Sequence, residues 1–154
     1  MKTPNKLIEK KLCKLSSFLH HASNEFEKAA CHTTAKDIKM SIRTVETITK
    51  QYMKELQSQL AMLRIKCVIR DNKREERNVQ PNEAISDREI IERCCNSEEY
   101  FEKAYRIILN QYFPYSSLRQ MLVYQLNEIK HSFMQLRLLK SVLSLKATYG
   151  NVLF

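Results

Sequence analysis

Residues 31–50 read CHTTAKDIKMSIRTVETITK, and where this stretch bends decides the fold. Upstream, Leu7, Ile8, Leu12, Leu15 and Leu19 recur at helical spacing behind Thr3 and Pro4, giving a helix that ends near 21–23. A second, shorter helix covers about 28–38. After Ser41 a new helix begins, with Val45, Ile48, Tyr52, Leu56 and Leu60 as its stripe. The pattern therefore predicts a tight turn at about 39–41. Ala35 would let the flanking helices approach, and Ile38, Met40 and Val45 would fill the space beneath.

Downstream the period changes. Leu63, Ile65, Cys67 and Ile69 alternate with Arg64, Lys66, Val68 and Arg70, the pattern of a half-buried strand. The polar run 71–77 can turn the chain back through Val79, so a β-hairpin is expected at about 64–80. Pro81 and Asn82 open a linker. Ser86 followed by Glu89 fits a capping box and starts a short helix through Ile90 and Ile91. Asn96 and Ser97 would cap another, with Phe101, Ala104, Tyr105, Ile108 and Tyr112 along it, stopping before Pro114. The remainder, 116 to about 147, is helical. Leu122, Leu126, Ile129, Phe133, Leu136, Leu139 and Leu143 keep a spacing that one helix or two would satisfy.

A single glycine, Gly150, among 154 residues excludes chemistry that depends on glycine-lined loops: Walker loops, dinucleotide fingerprints and GxSxG elbows. No catalytic constellation stands out, so no enzyme is expected, and neither a cofactor nor a metal. The five cysteines (13, 31, 67, 94, 95) lack CxxC spacing and read as small apolar side chains in a reducing compartment. With no long apolar run and no signal-peptide core, a cytoplasmic protein that avoids membranes is expected. The net charge of +9 is unevenly spread. Residues 1–62 carry 11 basic and 6 acidic side chains, residues 63–110 carry 10 of each, and residues 111–154 carry 5 and 1.

The stretch 31–50 resembles a helix-turn-helix DNA-binding unit. Ala35 falls at that family's small position, Thr34, Ile38, Met40, Val45 and Ile48 at its inward positions, and Ser41 at the cap of the second helix. Lys39 stands where the family usually has glycine. With LRIKCVIR and the polar hairpin behind it, the segment looks like a winged helix-turn-helix. NSEEYFEKAYRIILNQYF and SSLRQMLVYQLNEIKHSFMQLRLL resemble, more loosely, the second helical unit of the Mga-type virulence regulators of Gram-positive bacteria, which carry two such domains in tandem. The resemblance implies a mainly α fold: a winged helix-turn-helix (three helices plus a β-hairpin) over 1–81, then a second all-helical helix-turn-helix-like unit over 82–154.

The function so implied is transcription regulation on double-stranded DNA, with the helix at about 42–60 in the major groove. Ser41, Ile42, Arg43, Thr44, Glu46, Thr47 and Lys50 would face the duplex, flanked by Lys36 and Lys39, with Arg43 as the guanine reader. Lys73 and Arg74 of the wing would lie on phosphates. Gln125, Asn127, Lys130 and His131 would form a second reading surface. The acid-poor stretch 136–154 suits a partner surface, as in a homodimer. A rival of another class is a helical protein-interaction module, an adaptor or anti-regulator that binds an acidic partner.

Overall fold

The computed structural model describes residues 3–67 and 85–149, which form four α-helices: α1 (Thr3–His32), α2 (Lys36–Met62), α3 (Asp87–Leu109) and α4 (Ser116–Tyr149). α1 and α4 each pack against both α2 and α3. Side chains fix the directions. Cys13 near the start of α1 is bonded to Cys67, just past the end of α2, so these two helices are antiparallel. Thr34, between α1 and α2, meets Asp87 at the start of α3. Tyr52 of α2 stacks edge-on to Tyr124 near the start of α4, at 6.5 Å between ring centroids. The four pairs that pack α1 and α4 against α2 and α3 are thus antiparallel, in a four-helix bundle.

One apolar core joins the four helices. At its centre Phe18 and Phe26 of α1, Phe101 of α3 and Phe133 of α4 meet at centroid distances of 5.0–6.1 Å, mostly edge to face. Edge-to-face packing sets the positive rim of one ring against the negative face of the next. Among the described residues no buried side-chain nitrogen or oxygen lacks a partner. Buried Thr33 and Thr49 donate their hydroxyls to the carbonyls of Ala29 and Val45, and buried Ser132 donates to that of Ile129.

The expected winged helix-turn-helix is not formed among the described residues. No turn interrupts α2 at 39–41: Lys39 N–H donates to Ala35 O at 3.0 Å, and neither glycine nor proline falls between Lys36 and Met62. The inward stripe is Ile38, Ile42, Val45, Thr49, Tyr52, Leu56 and Leu60, whose 3–4 spacing fits one uninterrupted helix. Met40, expected inward, is 70% exposed, and Ile42, expected outward, is fully buried. The break comes earlier, at 33–35, where Ala35 is extended (φ −71°, ψ 127°). α1 likewise does not stop at 21–23, because Ala22, Phe26 and Ala30 continue its buried stripe.

The strand expected from residue 64 is also not formed over the described residues. Instead 63–65 close α2: Arg64 N–H donates to Ala61 O and Ile65 N–H to Leu60 O, with Arg64 left-handed at φ 59°. This is the Schellman pattern, and it buries Ile65 beside Leu60. The alternation is real in burial (Ile65 in, Lys66 out, Cys67 half in) yet belongs to a helix end. The rest of the expected hairpin, with Lys73 and Arg74, lies outside the described residues, among which there is no strand. The cysteine reading changes too, since Cys13 and Cys67 form a disulfide while Cys31 is exposed and Cys94 is buried. Ser86 does cap α3, accepting from Glu89 N–H at 3.3 Å. α3 then runs without the second start expected at Asn96, where the Ser97 hydroxyl donates to the Cys94 carbonyl. α4 is a single helix.

Candidate functional site

Straightening α2 turns its base-reading candidates in different directions. Ser41 and Ile42 are buried, while Lys36, Thr44 and Thr47 are exposed and Lys39 is half-buried. Thr44 donates its hydroxyl back to Met40 O. Glu46 is 5% exposed and holds two cations of its own helix: Arg43 Nη1 donates to its Oε1 at 2.9 Å and Lys50 Nζ to its Oε2 at 2.8 Å. Lys50 also lies 3.8 Å from Glu27 of α1. Burial pushes the Glu46 carboxyl up, but the hydrogen bonds from Lys50 and Arg43 outweigh it and hold the group below its ordinary range. The same bonds raise Arg43 and Lys50. Arg43, the expected guanine reader, therefore points its fork along its own helix, with Nη2 3.8 Å from Cys31 Sγ.

The second group of candidates divides similarly. Gln125 is fully buried at the junction of three helices. Its Oε1 accepts from Tyr105 Oη at 2.9 Å, and its Nε2 donates to Tyr52 O at 3.4 Å and Glu55 Oε1 at 3.3 Å. Lys130 pairs with Glu102 of α3 at 3.3 Å. Asn127 and His131 are exposed on the outer face of α4. Residues singled out as one surface are thus partly core, partly ion-pair partners and partly solvent-facing.

A different feature of α4 stands out. Its inner face carries Leu118, Leu122, Leu126, Ile129, Phe133 and Leu136, all buried. Its outer face carries Met134, Leu138, Val142 and Leu145, 45–57% exposed. These four are spaced by 4, 4 and 3 residues, one stripe on the side away from the core. Val123, 42% exposed, lies on the same face towards the helix start, while Tyr124 beside it turns its ring to Tyr52 of α2. A helix that is apolar on both sides is ordinarily covered on both. Beyond Glu128, α4 contains Lys130, Arg137, Lys140 and Lys146 and no acid; Lys130 and Arg137 turn to Glu102 and Glu98 of α3.

Periodicity had marked the inner stripe as the signal and absorbed Leu139 and Leu143 into it. The remaining apolar residues at 134, 138, 142 and 145 were legible as a second stripe of the same period. No group of three or more His, Cys, Asp or Glu among the described residues could hold a metal ion. No helix among them is long and apolar enough to cross a membrane. Compared with protein-family models, curated proteins and solved structures, the chain matches none.

Proposed function

We propose that the protein is a helical interaction module whose outer α4 face docks an acidic amphipathic helix of another protein. The exposed stripe Met134, Leu138, Val142 and Leu145 carries this reading, since helix-on-helix recognition uses anchors at such intervals. Charge selects the partner. Lys140 and Lys146 make no ion pair with a described residue, and the helix around them holds no carboxylate beyond Glu128. A second copy of the same face would bring like charges together, whereas acidic flanks would be drawn in. The major-groove reading receives less support, because Ser41, Ile42, Glu46 and Gln125 are buried and Arg43 and Lys50 are engaged by Glu46.

The test is a pair of designed helices with the same leucine stripe, one flanked by glutamate and one by lysine, titrated against the labelled protein. The glutamate helix should bind, more weakly as salt rises, and shift the amide signals of Met134, Leu138, Val142 and Leu145. Equal binding of both helices, or none, overturns the reading. A shift of random duplex DNA at low salt without helix binding would favour nucleic acid instead, and binding only to anionic vesicles would favour a lipid surface. A cytoplasmic setting, as the sequence leads one to expect, would expose Cys13–Cys67 to cellular thiols, so the titration belongs in both redox states.

A further inference from the structure

We propose that the outer side of the α1–α3 pair is a peripheral docking surface for an anionic lipid bilayer, separate from the face on α4. On α1, Leu7, Lys11, Lys14 and Phe18 are spaced by 4, 3 and 4 residues, one stripe of the helix. Phe18 is half-buried and sets its ring edge-on to Phe101 of α3 at 5.0 Å, so this stripe borders α3. α3 turns Glu98 and Glu102 to Arg137 and Lys130 of α4. Tyr100 and Ile107 therefore fall on its other flank, beside α1, with Lys103 between them. Leu7, Tyr100 and Ile107 are 53–62% exposed, and Lys10, Lys14 and Lys103 are exposed with them.

Charge selects the occupant. Lys10, Lys11 and Lys14 form no ion pair with a described residue. The one acid of α1 ahead of Glu25 is Glu9, which lies a turn before Cys13 and so on the flank towards α2. On α3, Glu99 lies a turn before Lys103 and offsets that cation, which leaves the α1 lysines as the excess. Lysines set around exposed leucine, isoleucine and tyrosine suit an anionic membrane: the ammonium groups reach lipid phosphates and carboxylates while the apolar tips enter the headgroup boundary. A nucleic acid would set Leu7 and Ile107 against its phosphates, where they gain nothing. The contact is peripheral, since no described helix is long and apolar enough to cross a membrane. Among the described residues α4 packs on α2 and α3 and not on α1, so it stands diagonally across the core. A bilayer on the α1–α3 side therefore leaves Leu138 and Val142 open to a partner.

Co-sedimentation of the full chain with phosphatidylcholine vesicles, with and without phosphatidylserine, tests this. The chain should bind the anionic vesicles alone, and more weakly as salt rises. Lys10→Gln with Lys14→Gln should weaken binding roughly fivefold per charge. Lys36→Gln with Lys54→Gln removes the same charge from α2 and should change it less than about twofold, because charges beyond a screening length of roughly 8 Å count for little. Leu7→Ser with Ile107→Ser should weaken it about tenfold, with thermal unfolding on the same sample to show that the bundle is intact. Absence of binding, equal loss from the two lysine pairs, or indifference to the serine pair overturns the surface. Oligonucleotide binding that depends on Lys10 and Lys14, from a protein that ignores the vesicles, overturns it in favour of nucleic acid. The acidic-helix titration is read separately: its failure removes the α4 face and leaves this surface standing, and helix binding without vesicle binding does the reverse.

Discussion

Asp87, the first residue of α3, holds Thr34 in the turn that precedes α2. Its Oδ1 accepts the Thr34 N–H at 3.0 Å, and its Oδ2 accepts the Thr34 hydroxyl at 2.7 Å and the Ala35 N–H at 3.0 Å. Ala35 occupies the N-cap position and has no side chain that can serve. The carboxylate takes the N–H groups of the two residues before α2 begins, a tertiary anchor on the turn and not a bond to the first-turn amides. It also ties the α1–α2 turn to the start of α3.

Asp87→Asn should therefore destabilise the bundle by about 1 kcal/mol at neutral pH, the typical net worth of a hydrogen bond at a partly exposed group. Hydrogen bonds from the Thr34 backbone and hydroxyl hold the Asp87 carboxyl below its ordinary value. Its contribution is thus complete above the unfolded aspartate pKa of about 3.9 and fades as pH falls through the lower folded value. Urea unfolding of both proteins from pH 7 down to acid checks this. The gap between them should close below the folded pKa, and a constant gap would contradict the assignment.

Some of this architecture was legible and some was not. Ser86 and Glu89 declared the start of α3, because both partners of that cap lie within one turn. The break at 33–35 did not declare itself, because the carboxylate that holds it lies more than fifty residues away at Asp87. Tertiary contacts also decided 39–41, where Ser41 and Ile42 are buried and a straight helix satisfies more of the core than a turn would. The alternation over Ile65, Lys66 and Cys67 suits a strand and a Schellman ending alike, since both send successive residues in and out, whereas Leu63 and Arg64 are both exposed. Charge proved the poorest guide to a site. The formal excess was correct, but Arg43, Lys50, Lys130 and Arg137 are each bound to a carboxylate.

Arg64 offers a test of that helix ending. It holds a left-handed conformation at φ 59°, which costs a residue with Cβ about 1–2 kcal/mol and glycine almost nothing. Glycine returns part of the gain through the entropy of the unfolded chain. Arg64→Gly should raise stability by roughly 0.5 kcal/mol and Arg64→Val lower it by more. Chemical denaturation of the two variants decides the matter, and destabilisation by glycine would show that the Arg64 side chain, not its backbone, supports the turn.

Gln125 should behave as a structural residue. Gln125→Leu leaves the buried Tyr105 hydroxyl without its acceptor, at a cost of about 1–3 kcal/mol. Tyr105→Phe in the same background removes that orphan and should recover about 1 kcal/mol, a coupling visible in a double-mutant cycle. A base-reading residue would show neither effect. If Gln125→Leu leaves stability unchanged, the buried network has been misjudged.

The Cys13–Cys67 disulfide closes a long loop, with the two residues 54 apart in sequence. The chain-entropy model assigns about 4 kcal/mol to a loop of that size. Reduction, or Cys13→Ser, should lower the unfolding free energy by about 2–4 kcal/mol. Calorimetry with and without a reductant measures it. The substitution controls for reductant effects on Cys31, Cys94 and Cys95, which are free.

Two leucines on α4 separate the core from the docking face. Leu136 is fully buried, so Leu136→Ala should cost about 2–5 kcal/mol through lost burial and the cavity left behind. Leu138, two residues on, is 57% exposed and Val142 is 46% exposed. If their outer face serves only solvent, Leu138→Ser with Val142→Ser changes nothing measurable, in stability or in binding. If it is an anchor stripe, the double variant keeps its melting behaviour within about 0.5 kcal/mol per site yet loses the acidic helix, because truncating a central anchor removes well over 1 kcal/mol of binding. Thermal unfolding and helix titration on the same samples distinguish the cases. Large destabilisation by the serine pair would mean that these side chains belong to the bundle's own packing, which would withdraw the surface on which the docking proposal stands.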